Sequence, residues 1–291
     1  MARKLLIDAD CLIYESAFAS QKTRYHYLDK SFEDADQAKA YCDANELDYR
    51  KLRKDGVITS HLEVLPEGAA KMIYRQKLAA ICNSCASDNY SLLVSGDGNF
   101  RDEIAVTRGY KANRATAIKP QHYLYVRSVV LDDAASELTV GCEADDAIGI
   151  YMERDKEAVV CSIDKDLNML PGRHYNWDKG IKYRVDELNA QRWFLTQLLT
   201  GDTTDNVPGI PGCGEKGAAA ILEPHRDNVL SMWKAVVAEH NKGPFTFKDG
   251  STTGQPAYYL EEQGALLWIR RKKDEKWTAR YYEKECVNGK R

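Results

Sequence analysis

With 291 residues, 44% of them hydrophobic, the chain can bury a sizeable core and hold one large domain plus a smaller one. A formal charge of -3 gives no reason by itself to expect a phosphate-rich partner, yet setting aside the nine acids singled out below leaves a remainder of +6, which admits one. Eight cysteines are too sparse for a disulfide scaffold, Cys82 and Cys85 lack the companions of a zinc site, and no apolar run approaches the ~20 residues that cross a bilayer.

Arg3 and Lys4 stand just ahead of the first apolar run with no secretory segment before it, so a cytosolic protein is expected. That run, residues 5–7, stops at Asp8, with Asp10 two positions on. An apolar strand that ends on an acid delivers it to the carboxyl edge of a sheet, where open α/β folds bind ligands. A crossover helix is expected from about residue 11 to 19. Residues 21–60 are polar and acid-rich, an excursion from the sheet with a helix around 34–44, a hairpin near Asp55 and Gly56, and no chemistry to assign. A long helix is predicted from Pro66, suited to a first turn, to Ala86.

Residues 90–94 repeat the pattern of apolar run then acid, ending in Ser95-Gly96-Asp97-Gly98, where the glycines permit a tight exit that leaves Asp97 exposed. The chain then turns basic and aromatic around YKANR, residues 110–114. One helical turn would offer both Lys111 and Arg114 to a phosphate, with Tyr110 free to stack on a base. Glu143, Asp145 and Asp146 open the next helix, Glu143 and Asp146 sharing a face with Asp145 on the flank. The apolar run 158–163 then delivers Asp164 and Asp166. Carboxylates brought this close raise one another's pKa values and oppose folding unless a cation lies among them, and Mg²⁺ or Mn²⁺ suits an all-oxygen site. Charged decoration of a helix surface would explain one such stretch; three strand ends aiming acids the same way decide against it.

Residues 173–185 alternate as a hairpin around Asp178-Lys179-Gly180, and an apolar helix then leads to Asp202 and Asp205. Residues 208–214 (PGIPGCG) form a glycine-rich turn into a helix carrying Lys216 in its first turn. Its outward N–H groups and the positive helix end make a phosphate cradle. Further helices are expected over 226–241 and 261–269. Residues 270–291 hold nine Lys or Arg against four acids, either a solvated end or a polyanion contact.

Taken in order, LLIDAD, SGDGNFR with YKANR, CEADD, SIDKD and GDTTDNVPGIPGCG resemble the motifs of the 5′ nuclease superfamily, and among its members the exonucleases of short-tailed phages. The resemblance covers about residues 3–222. It implies an α/β, PIN-like fold with a mostly parallel central sheet, helices on both faces and a helical hairpin subdomain that grips DNA. Residues 1–200 would form the nuclease core with an arch-like insertion near 98–128, and residues 201–291 the helix-hairpin-helix region and basic tail. It implies structure-dependent 5′→3′ exonuclease or flap endonuclease activity in phage DNA replication or host DNA degradation. The substrate would be duplex DNA with a free 5′ end, nick or 5′ flap, with RNA–DNA hybrid as a further one, and the protein a monomer that contacts no membrane. Two Mg²⁺ ions, replaceable by Mn²⁺, would be held by Asp8, Asp97, Glu143 and Asp145, assisted by Asp146, and on the second side by Asp164, Asp166, Asp202 and Asp205. Lys111 and Arg114 would serve catalysis. Tyr110, Gly209, Gly212, Gly214 and Lys216 would contact DNA, with K⁺ at the hairpin. Two departures stand out: Ala9 where many relatives have glycine, and residues 21–60, longer and more acidic than the family pattern. The alternatives are a PIN-type ribonuclease, disfavoured by the hairpin, and a branched-DNA binding protein without catalysis, disfavoured because no acid is missing. GxxxxGK[ST] does not occur, which excludes a P-loop nucleotide site.

Overall fold

The computed structural model describes residues 2–287; Lys290 and Arg291 of the expected basic tail lie outside them. In chain order the elements are β1 (Leu5–Asp8), α1 (Ala9–Ala19), β2 (Gln21–Tyr27), β3 (Lys30–Phe32), α2 (Ala35–Ala44), α3 (Tyr49–Lys54), β4 (Ile58–Val64), α4 (Glu67–Cys85), β5 (Tyr90–Val94) and α5 (Phe100–Ile104). Next come α6 (Tyr123–Leu131), β6 (Ser136–Leu138), α7 (Ala144–Arg154), β7 (Val159–Cys161), β8 (Gly172–Asn176), β9 (Ile181–Val185) and α8 (Glu187–Thr200), and last α9 (Glu215–Leu222), α10 (Val229–His240), α11 (Pro256–Leu267) and α12 (Ala279–Tyr282).

The chain divides into two compact units. The first comprises residues 1–10, 81–117 and 135–291 and contains a six-stranded sheet of order β6-β5-β1-β7-β8-β9. Its first five strands run parallel and β9 closes the edge antiparallel to β8. β1 is buried along its whole length. Leu6, Leu93 and Val160 enter one core cluster with α7 and α8, while Leu5, Ile7 and Leu92 are equally buried on the opposite pleat. A strand covered on both faces has no reason to alternate polar and apolar residues, which is why these strands read as unbroken apolar runs. The expected mostly parallel α/β sheet is present. From β1 the chain order moves outward through β5 and β6, and from β7 it moves the other way through β8 and β9. The carboxyl ends of β1 and β7 therefore flank a switch point, the usual ligand crevice of such sheets.

The second unit, residues 11–80 and 118–134, holds a three-stranded antiparallel sheet of order β3-β2-β4. Tyr41 of α2 packs against Tyr27 and Phe32, and Ala38, Cys42 and Ile58 are buried. The hairpin lies at Leu28 and Asp29, between β2 and β3, rather than at Asp55 and Gly56, which instead turn α3 into β4. α4 and the β8–β9 hairpin fall where expected. α11 starts five residues before the expected 261, with Pro256 in its first turn. Among the described residues no helix is long and apolar enough to cross a membrane.

Candidate active site at the carboxyl edge of the sheet

The first unit carries every acid singled out in the sequence. Asp8 is the last residue of β1 and is 3% exposed. Its Oδ2 accepts a hydrogen bond from the Ser162 hydroxyl at 2.7 Å, and the same oxygen of Ser162 accepts from the Asp164 N–H at 2.9 Å. Asp164 in turn accepts from the Asp166 N–H at 2.8 Å, so its carboxylate helps start the short helical turn Asp166–Met169. Two adjacent strand ends are thus tied through one serine.

Glu143 is the N-cap of α7, and its side chain and that of Asp146 form a reciprocal capping box. The helix phase this sets separates the consecutive acids. Asp145 lies within reach of the charges of Asp8, Asp164 and Glu143. Burial first, then those three charges, push its carboxyl well above the ordinary range, with Lys111 opposing. Asp146, expected to assist the ligands, is instead turned to Arg101 and is fully buried. The guanidinium meets it in a two-bond fork, at 2.7 and 3.0 Å. Asp146 also accepts from the Arg270 and Glu143 backbone N–H groups at 2.9 and 3.1 Å. Burial pushes this carboxyl up, but Arg101 and the backbone donors overcome it and hold it below the usual range. Arg101 also donates to the Leu266 and Trp268 carbonyls. Asp146 is accordingly a satisfied internal ion, with no carboxylate edge left for a ligand.

Asp166 accepts from the Gln197 amide at 2.7 Å. Burial, then the charge of Asp164 and the hydrogen bond and charge of Asp202, push it up to about 8, so it holds a proton near neutral pH. Asp202 is buried and begins a loop closed by its backbone bridge to Val207. The 110–114 segment docks on this loop. Lys111 N–H donates to the Asp205 carbonyl at 2.9 Å, Asn113 to the Thr203 carbonyl at 2.7 Å and Arg114 Nε to the Thr204 carbonyl at 3.0 Å. Lys111 Nζ bonds Glu143 and lies 3.6 Å from Asp205, and Arg114 pairs with Asp205 at 2.6 Å. Burial opposes the charge of Lys111, but Glu143 and Asp205 more than restore it, so its pKa is raised. The segment is one 3-10 turn, with Lys111 at φ 52.

Tyr110 does not stand ready to stack on a base. It is 8% exposed, and its hydroxyl lies 2.9 Å from Glu143 and 2.7 Å from Asp205. With one proton to donate it links the two acids. Asp97 sits on the exposed turn beyond β5, where its carbonyl accepts from the Gly141 N–H.

The turn after this loop is built on contact between two glycines. A Cβ on Gly209 would lie 2.1 Å from the Gly201 nitrogen, and both residues have positive φ. The Gly209 N–H donates to Gln263, and its carbonyl accepts from Tyr259. Gly212, at φ 81, and Gly214 have open space where a side chain would go, and Lys216 is exposed in the first turn of α9. Protein packing therefore demands glycine at Gly209, and leaves Gly212 and Gly214 facing outward.

Sequence reasoning missed Ser162, Gln197 and the role of Arg101. A serine two residues before an aspartate at a strand end is a readable turn signal, and Gln197 is a polar interruption in an apolar helix. Nothing local marks Arg101 as the partner of Asp146.

The donor set around Asp8, Asp145, Asp164, Asp166 and Asp202 consists of carboxylate oxygens. Their charges raise the pKa values of Asp145 and Asp166, which is the chemistry a hard divalent ion relieves. As they stand, no three His, Cys, Asp or Glu side chains among the described residues are gathered closely enough to hold an ion. The fit lies in the donor chemistry and in the shared crevice.

No family model matches the chain. It is 29% identical over 134 residues to the exodeoxyribonuclease of Enterobacteria phage T3, an overlap of 43% of this chain and 44% of that protein. It is 32% identical over 138 residues to the exonuclease of Escherichia phage T7, with 43% and 44% covered. It is 34% identical over 135 residues to DNA polymerase I of Rhizobium leguminosarum, with 40% and 13% covered. The chain spans less than half the length of each of these. A phage T5 protein co-crystallized with metal ions superposes with a TM-score of 0.51 at 15% identity, over 91% of this chain and 86% of that one. A mutant T5 5′-exonuclease gives 0.50 at 13% identity, over 92% and 85%. At such identities the structural likeness speaks for the fold alone.

Proposed function

We propose that this chain, a relative of the phage 5′→3′ exonucleases within the 5′ nuclease superfamily, hydrolyses DNA phosphodiesters from 5′ ends, nicks or flaps with divalent metal. The observation that carries the reading is the tie of Asp8 to Asp164 through Ser162 at the carboxyl ends of β1 and β7, with Asp145 under the charge of both and Asp166 under that of Asp164 and Asp202. Asp8, Asp145 and Asp164 would hold one ion and Asp166 and Asp202, with Asp164, the second; Mg²⁺ is the proposed metal and Mn²⁺ its substitute. Asp97, Glu143 and Asp205 complete the acid set. When bound, such ions supply an activated water and neutralise charge on the phosphate and leaving oxygen.

The protein's own groups do the rest. Lys111 and Arg114 bring positive charge to the rim of the acid set, where a phosphodiester would meet it. Tyr110 fixes Glu143 and Asp205 relative to each other, so the 110–114 segment and the 201–207 loop act as one wall. The turn over residues 209–216 grips duplex backbone without reading bases: Gly212 and Gly214 allow close approach, and the N–H groups opening α9 with Lys216 face the phosphates. A K⁺ ion at this turn belongs to the same reading. Residues 201–287 then serve as the duplex-gripping region and residues near 98–128 as the arch-like insertion.

The test is digestion of 5′-labelled and 3′-labelled duplex, nicked and flap substrates with Mg²⁺ and with EDTA. Metal-dependent release from the 5′ end of DNA supports the proposal. Cleavage confined to single-stranded RNA would favour the PIN-type ribonuclease, and duplex binding without cleavage a branched-DNA binding protein.

A further inference from the structure

We propose that Ser162 is a positioning residue of the acid site, a hydroxyl that sets Asp8 and Asp164 in register across the crevice; this rests on the metal-dependent nuclease reading above. Ser162 follows β7 directly, and its N–H still donates to the Tyr175 carbonyl of β8 at 3.2 Å. Its backbone is therefore held by the sheet. The side chain is buried, with the residue 5% exposed.

A hydroxyl has one proton to give. Here it goes to Asp8 Oδ2 at 2.7 Å, while a lone pair receives the Asp164 N–H at 2.9 Å. Ser16 and Ser20 spend theirs locally, on the Leu12 and Ala17 carbonyls. Ser162 instead reaches an acid 154 residues away in sequence, on the neighbouring strand.

The consequence runs through three acids. Donation fixes the rotation of the Asp8 carboxylate. Acceptance from the Asp164 N–H fixes the first step of the turn that follows β7. Asp164 then accepts from the Asp166 N–H, so the direction of Asp166 is inherited from the same hydroxyl. Partners of this kind, one bond removed from a ligand, cost about 10- to 100-fold in metal affinity or activity when removed.

Ser162→Ala would leave Asp8 without this donor and the Asp164 N–H without its acceptor. Ser162→Thr keeps the hydroxyl, and Ser162→Cys keeps the shape with a weaker donor. Ser91→Ala is the control: Ser91 is a buried strand serine whose hydroxyl bonds Glu137 at 3.1 Å, away from these acids.

The experiment is calorimetric titration of each folded protein with Mn²⁺, with kcat and KM for labelled duplex measured in parallel. Ser162→Ala is expected to bind Mn²⁺ at least about tenfold more weakly and to lose kcat with KM for DNA little changed. Ser162→Thr should restore both, or, if it fails to fold, Ser162→Cys should fall between. Ser91→Ala should bind Mn²⁺ as the wild type does. If Ser162→Ala matches the wild type in Mn²⁺ affinity and kcat, losing only stability as Ser91→Ala does, the inference is overturned while the nuclease reading stands. If the wild type neither binds Mn²⁺ nor cleaves, the nuclease reading itself fails and takes the inference with it.

Discussion

Replacing Asp146 with asparagine should unfold this protein at a markedly lower temperature, whereas the same change at Asp145, one residue earlier, should raise its stability in EDTA. Asp146 is completely buried and Arg101 is 2% exposed. Removing the charge from one side leaves the guanidinium uncompensated, with Glu143 next nearest at 3.6 Å. Breaking a buried pair in this way costs about 3–5 kcal/mol. For a chain of this size, at roughly 2–4 °C per kcal/mol, the melting point should fall by about 6–20 °C. Asparagine retains an acceptor for the Arg270 N–H and belongs at the low end; Asp146→Ala belongs at the high end. Asp145 has the opposite sign. Burial and its acidic neighbours raise its pKa in the folded protein, so the folded state holds that proton more tightly than the unfolded state does. Stability is therefore lost as pH rises through the folded pKa, and Asp145→Asn removes that loss near pH 8. Thermal melts followed by circular dichroism, in EDTA at pH 8, measure both. Equal destabilisation by the two variants would refute the division of roles between these consecutive acids.

Burial lowers the pKa of His240 to about 4, so the ring stays neutral in the folded state. Its contribution is fully present above about pH 6.5 and is lost toward pH 4, up to about 3 kcal/mol; urea titrations across that window should show a shallower loss for His240→Gln, and identical slopes would contradict the assignment. Gly209→Ala should fail to fold or melt far below wild type, because its Cβ would strike Gly201 backbone at positive φ. Gly214→Val, with open space, should fold normally yet bind duplex more weakly; unchanged affinity and salt dependence would remove the phosphate-gripping role of the turn. Lys111→Ala and Arg114→Ala should slow single-turnover cleavage far more than they weaken duplex binding, and equal losses in both would make them general phosphate contacts.

Parts of this molecule are legible in the sequence for a physical reason. Strands buried on both faces need no polar alternation, so the runs before Asp8, Asp97 and Asp164 stand out, and each leads to its acid. The small sheet was not legible: β2 (QKTRYHY) and β4 (ITSHLEV) mix charged and aromatic residues and are largely exposed, which resembles a polar loop. Nor could spacing tell Asp145 from Asp146. Their difference depends on Glu143 being the N-cap and on Arg101, 45 residues away in sequence. Tyr110 looks like a free aromatic among cations until the 201–207 loop closes over its hydroxyl. Ser162 shows in sequence only its local turn to Asp164, since its other partner, Asp8, lies 154 residues away.

The central claim is that the acids at the crevice between β1 and β7 serve metal-dependent hydrolysis of DNA from its 5′ end. The most direct measurement is digestion of a 5′-labelled flap duplex by wild-type protein with Mg²⁺, by the same protein in EDTA, and by Asp145→Asn with Mg²⁺. The account predicts release of labelled 5′ product in the first reaction only, with Asp145→Asn slowed by orders of magnitude while still binding the duplex within about tenfold of wild type. Full activity in EDTA, or wild-type rates from Asp145→Asn, would contradict it.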